Sequence, residues 1–273
     1  MTSAAGGMSE AVDVADTAQR GFLEERRGAV LRLTLDRPQR RNALTVDLVA
    51  GLADRIAAVR DERDGHDPVR VVVLAGASPV FCAGGDLTDL SEVASHGPAA
   101  VTDVVYRHFQ RLVAELLGSP VPVIAEIDGA ALGAGLDLAM ACDLRVATTR
   151  STFASSWIGV GLVPGMGGAH LLTHAIGVTR AREMVLLGEA ISAQTALEWG
   201  LLNRVAAPED LPAAVDALAQ RLASLPATAL DRSKASLSRV VTPGLHTELA
   251  TLGSVQGALL TSSDFQERTA RFR

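Results

Sequence analysis

Residues 70–87 read RVVVLAGASPVFCAGGDL, and residues 121–140 read VPVIAEIDGAALGAGLDLAM, so the same order of apolar run, glycine-rich turn and helix start occurs twice. Val71, Val72, Val73 and Leu74 form a short continuous apolar run, the pattern of a strand buried on both faces. Strand, turn and helix in alternation predict crossover units and a largely parallel sheet rather than hairpins. A third strand, DLRVAT, leads into SWIGVGLVPGMGG and a helix over residues 169–176.

Working outward, FLEE and AVLRLTL read as two strands separated by a hairpin turn at Arg26, Arg27 and Gly28, with a further turn at Asp36, Arg37 and Pro38. Thr45 is a helix cap, followed by Leu48, Val49, Leu52, Ile56 and Val59 at helical spacing and then the charged loop DERDGHDP. A long helix lies around residues 112–117. After Ser192, a second cap candidate, the chain is mainly helical with a short strand over residues 202–205. The result is an α/β core followed by a helical C-terminal part. Repeated β-β-α units can stack as a spiral, but spacing alone does not separate a spiral from a doubly wound sheet.

Composition narrows the partners. Of 273 residues 48% are apolar but only 3% aromatic, so the core depends on many small contacts among Ala, Val and Leu. The net charge of −6 comes from interspersed acids and bases, which leaves no footprint for nucleic acid or an anionic membrane. No apolar stretch approaches the roughly 18 residues a membrane span needs. Cys82 and Cys142 lie outside any CxxC or metal-like spacing, which argues against a disulfide scaffold or a zinc site and fits a reducing cytoplasm. The first twenty residues carry Glu10, Asp13 and Asp16 and no apolar run, and read as a disordered tail rather than a targeting signal.

The two glycine turns carry the chemistry. Each leaves a strand and starts a helix within a few residues, gathering free N–H groups where a ligand can approach the backbone. Asp86 can cap the first of these helices and fix the direction of its donors. With the turns adjacent, one N–H from each can hold a single carbonyl oxygen as charge develops on it. Neither turn has the spacing of a P-loop or a dinucleotide fingerprint.

Five segments in order resemble the enoyl-CoA hydratase/isomerase (crotonase) family: Arg37-Pro38 with Arg41-Asn42-Ala43-Leu44, FCAGGDL, ALGAGLDLAMACDLRVA, GLVPGMGG and ALEWGLLNRV. The resemblance implies a spiral of repeated β-β-α units over residues 21–205. It also implies a helical region over residues 206–273 that assembles trimers or covers the site, and a homo-oligomer, trimer or hexamer. It places the oxyanion donors on the backbone N–H groups of Gly85 and Ala134. It lines the coenzyme A groove with Arg41, Ala43, Leu44, Ala83, Gly84, Asp86 and Leu87, and sets Gly133, Trp157 and Leu162 beside the acyl group. No separate cofactor is implied, because coenzyme A arrives as part of the thioester substrate.

The chain departs from the family where hydratases carry two glutamates. The first position is Asp137, one methylene shorter. The second is Trp157, which has no carboxylate and can only donate through its indole N–H. Asp137 can act as acid or base if apolar neighbours raise its pKa, or it can simply favour the start of a helix. Trp157 can cover the acyl chain or fill space, and the filler reading is the simpler. His170 and His174 share a helix face without an evident third metal ligand. His96, Tyr106, His108 and Glu126 are alternative sources of the missing acid. Two functions follow: an acyl-CoA enzyme that stabilises a thioester enolate, or an acyl-CoA-binding homologue without hydratase activity.

Overall fold

The computed structural model describes residues 21–63 and 66–270. The expected N-terminal tail therefore lies outside the described residues. In chain order the elements begin with β1 (Phe22–Arg27), β2 (Val30–Leu35), α1 (Val46–Glu62), β3 (Val71–Gly76), β4 (Val80–Cys82) and α2 (Leu87–Ala94). Then come α3 (Arg107–Gly118), β5 (Val123–Ile127), β6 (Ala130–Leu132), α4 (Ala134–Ala141), β7 (Leu144–Thr148) and β8 (Thr152–Ala154). The chain continues with α5 (Gly168–Leu187), β9 (Ile191–Ser192), α6 (Ala193–Trp199), β10 (Arg204–Ala206), α7 (Leu211–Ala223), α8 (Ala227–Leu260) and α9 (Ser263–Thr269).

Strand pairing resolves the choice that spacing left open. One sheet has the order β1-β2-β3-β5-β7-β10 and the other β4-β6-β8-β9. The units β3–β4, β5–β6 and β7–β8 each give their first strand to the large sheet and their second to the small one, and β3, β5 and β7 pair in parallel, as do β4, β6 and β8. That is a spiral; a doubly wound fold would place all its strands in one sheet.

The caps read from sequence are made. Thr45 Oγ1 accepts from Leu48 N at 3.3 Å, and Ser192 Oγ accepts from Thr195 N at 3.1 Å. Three element ends differ from expectation. β1 runs on through Arg26 and Arg27, so the hairpin turns at Gly28 and Ala29. The last strand lies at Arg204–Ala206, set by pairing with β7. The helix expected to end at Ile176 continues to Leu187 across a break at Gly177, whose φ of 78° reads locally as a stop.

The main core lies between the sheets and the helices packed around them, and α7 covers the large sheet with Leu211, Val215, Leu218 and Ala219 against Val71, Val73, Ile124 and Val146. Lys234 on α8 is tied to the core by Asp143 at 2.6 Å and by the Leu116 and Val121 carbonyls. Among the described residues no helix is long and apolar enough to cross a membrane.

Candidate active site

Because β4 and β6 are parallel neighbours, the turns that follow them emerge side by side. Gly84 has φ +109° and Gly133 φ +52°, conformations that side chains rarely allow. A Cβ on Gly84 would lie 3.1 Å from Leu132 O and 3.7 Å from Ala134 N, so the two turns abut. Ala134 is the first residue of α4, where an N–H has no acceptor within the helix. The N–H groups of Gly85 and Ala134 both lack an acceptor among the described residues.

The first turn is held by Leu44 and Asp86, expected at the site from sequence, and by Arg37 and Asn42, which were not among the expected lining residues. Leu44 N donates to Gly84 O and Asp86 N to Leu44 O, both at 2.8 Å, which stitches residues 41–44 onto the turn. Asp86 accepts from Thr88 N at 3.1 Å and Asp89 N at 3.4 Å, and it pairs with Arg37 at 3.1 Å. Arg37 also donates to Ala43 O. Asn42, fully buried with φ 55°, accepts from Arg37 N at 3.0 Å and donates to Ala77 O at 2.9 Å and Val80 O at 2.7 Å. Asparagine's tolerance of left-handed backbone was the local signal for this bend.

Above the turns lies a cleft of about 460 Å³. Ala43, Ala83, Gly84, Gly85, Asp86 and Leu87 line one side, and Gly133 and Ala134 the other; Trp157 and Leu162 close it with Leu90, Leu132 and Val160. The exposed Arg40 and Arg41 stand at its rim, the former absent from the sequence reading. Leu44 does not reach the cleft: it is fully buried, and its part is the backbone bridge to Gly85. Past Thr88 a second cavity of about 550 Å³ opens between α2 and the α8–α9 corner.

Asp137 is one turn along α4 from Ala134, and the structure encloses it completely. Its carboxyl rests on Gly168, where a Cβ would fall 1.9 Å from Oδ1. Neither carboxyl oxygen has a hydrogen-bond partner among the described residues. Burial pushes its pKa up to about 8; the N–H groups of Met166, Trp157 and Gly168 oppose that rise without reaching hydrogen-bonding geometry. Trp157 lines the cleft on one side and turns its unpartnered indole N–H towards Asp137 on the other. Its side chain separates the carboxyl from the cleft.

The remaining candidates scatter. His96 is exposed at the end of α2, and Glu126 is bound to Arg32 at 2.7 Å beside α7. His108 is half-buried, with an unpartnered Nδ1. Tyr106 is buried on the Asp137 side of the protein. Arg107 is exposed and Arg111 pairs with Asp54 at 2.7 Å. The His170 and His174 rings meet at a tilt with centroids 4.3 Å apart, and each bonds a backbone carbonyl. Cys82 and Cys142 are free and buried.

A family model described as Enoyl-CoA hydratase/isomerase matches residues 25–273. The chain belongs to that family. The 1,2-epoxyphenylacetyl-CoA isomerase of Escherichia coli is 36% identical over 89% of this chain and 91% of its own length. The short-chain-enoyl-CoA hydratase of Clostridium acetobutylicum is 30% identical over 91% of this chain and 92% of its own. A solved structure from Thermobifida fusca in complex with CoA superposes with a TM-score of 0.74 at 31% identity, covering 97% of this chain and 99% of that one. The chain is thus an acyl-CoA-processing enzyme of the hydratase/isomerase type with the crotonase fold.

Proposed function

We propose that this family member is an acyl-CoA double-bond isomerase. The thioester carbonyl is polarised by the N–H groups of Gly85 and Ala134, and Asp137 moves one proton between carbons of the acyl group. The observation that carries this is the single unpaired carboxyl beside the cleft among the described residues: Asp137 has a pKa raised to about 8, whereas Asp86, which lines the cleft, is held by its cap and by Arg37. Hydration asks two groups to hold and activate water, while a 1,3-proton shift asks for one acid/base. Asp137 reaches substrate when the Trp157 indole yields to the acyl group. The rim arginines, Arg40 and Arg41, suit the phosphates of coenzyme A.

The test compares 3-hexenoyl-CoA with crotonyl-CoA. We expect the first to gain conjugated-thioester absorbance and the second to keep it. Trp157→Glu is expected to give measurable crotonyl-CoA hydration, because it restores a carboxylate opposite Asp137. Rapid crotonyl-CoA hydration by the unaltered enzyme would overturn the isomerase reading. Tight CoA-thioester binding with turnover of neither substrate would favour the second reading, an acyl-CoA-binding homologue, which the enclosure of Asp137 supports.

A homo-oligomer, trimer or hexamer, is part of the same proposal. Leu186, Leu187, Leu237 and Val240 are between 59% and 73% exposed, large apolar side chains that a partner copy would cover. Light scattering is expected to give a mass of three or six chains; a monomer at micromolar concentration would refute it.

A further inference from the structure

Tyr106 ends a π-helical turn, Val101–Tyr106, that leads into α3. Such turns weaken local hydrogen bonding and recur at functional sites. The ring is 1% exposed, and its hydroxyl makes no hydrogen bond among the described residues. The phenol thus gains no hydrogen bond within the described residues in exchange for its burial. The fold nevertheless makes room for it. A Cβ on Gly165 would fall 2.1 Å from the Tyr106 Cε1 and 2.7 Å from Cζ, so the ring occupies space that any other residue at 165 would take.

Gly165 lies in a tight turn closed by Gly167 N donating to Pro164 O at 3.2 Å, and Gly168 follows that turn as the first residue of α5. Tyr106 lies against the first glycine and the Asp137 carboxyl against the second. The phenol and the carboxyl thus rest against glycines three residues apart, and neither makes a hydrogen bond among the described residues. Burial and then the Asp137 charge hold the Tyr106 pKa well above its usual value, so the hydroxyl stays a neutral donor. Around Asp137, Tyr106 is the titratable side chain coupled to it; the other groups that act on the carboxyl are the N–H donors of Met166, Trp157 and Gly168.

We propose that Tyr106 is the positioning residue for Asp137: its O–H turns to the carboxylate when Asp137 ionises and holds that anion in the orientation from which it exchanges a proton with substrate. This rests on the reading of Asp137 as the proton carrier. In the reaction, the Asp137 carboxylate takes the α-proton of a β,γ-unsaturated thioester. The C–H electron pair becomes the new α,β double bond as the dienolate forms and collapses, and Asp137 returns the proton to the γ-carbon. Tyr106 keeps its own proton throughout.

Tyr106→Phe keeps the ring against Gly165 and removes only the O–H. With 3-hexenoyl-CoA we expect an unchanged or higher Tm, an unchanged KM and a kcat lower by about 10- to 100-fold, the scale of one charge-assisted hydrogen bond. The midpoint of kcat/KM against pH should also move upwards, since the Asp137 anion loses a donor. A Tyr106→Phe enzyme with parental kcat and an unmoved midpoint overturns the proposal, as does a loss confined to KM. Asp137→Asn run in parallel separates the two failures. If it isomerises normally, or if the parent does not act on 3-hexenoyl-CoA, the reading of Asp137 falls and the role of Tyr106 with it. If Asp137→Asn is inactive and Tyr106→Phe is not impaired, only Tyr106 is removed.

Discussion

Asp137→Asn is expected to lower turnover of 3-hexenoyl-CoA by about 10²–10⁴, the usual contribution of a positioned acid/base, while the affinity for the thioester is kept. The substitution is nearly isosteric, so the packing on Gly168 survives, and the cleft walls that hold the ligand do not include residue 137. The pH dependence carries the same signature. Isomerisation begins with the carboxylate form, and burial raises the pKa to about 8, so kcat/KM should climb with pH and level off above that value. Acyl-CoA titration by calorimetry and initial rates across pH 6–10 check both parts. Parental rates in the Asn variant would remove Asp137 from the mechanism.

The same burial has a stability consequence whose sign is opposite to that of an ordinary surface carboxylate. The folded state keeps the Asp137 proton up to about pH 8, whereas the unfolded chain releases it near 3.8, the ordinary value for an aspartate. Folding stability from this residue is therefore present at low pH and is lost as pH rises towards and through the folded pKa. The asparagine variant has no such proton to lose. It should match the parent near pH 4 and exceed it by a margin that widens steadily as pH rises towards 8. A parent and variant with equal Tm across that range would mean that Asp137 is not enclosed as described.

Much of the framework was legible in the sequence because it depends on neighbours in the chain. The apolar run at Val71, Val72, Val73 and Leu74, the cap at Asp86 and the glycines at 84 and 133 are each decided within a few residues. What escaped depends on contacts made across the fold. Arg37 meets Asp86, and Asn42 meets Ala77 and Val80, through hydrogen bonds between segments roughly 35–50 positions apart. The division of strands between two sheets is likewise a matter of pairing across whole β-β-α units. The full enclosure of Asp137 needs both Gly168, which leaves space for its carboxyl, and Trp157, which covers it. The sequence shows a glycine and a tryptophan at those positions but not that they meet the same side chain. Tyr106 was legible only as one of four alternative sources of the missing acid, because the π-helical turn that carries it has no periodic signature of its own.

Ala134→Pro is expected to reduce kcat by about 10²–10³, the loss that follows removal of one oxyanion donor, with the thioester still bound. Residue 134 is the first position of α4, where proline's fixed φ suits the helix and its missing N–H breaks no intrahelical bond. The next bonds of the helix are spared, since Asp137 N donates to Gly133 O at 3.0 Å independently of the Ala134 N–H. The change therefore replaces the Ala134 N–H with a ring methylene at a helix position that accepts proline. Gly85 keeps its own N–H, so residual activity should persist rather than vanish. Ala134→Gly is the matched control: it retains the donor and should keep kcat within a few-fold of the parent. A proline variant that folds with a parental Tm and turns over at the parental rate would show that the carbonyl is not held at Ala134. A loss shared equally by the glycine variant would point to disturbed packing of α4 instead. A rate that falls only with proline is the result that ties the two glycine turns to polarisation of the thioester.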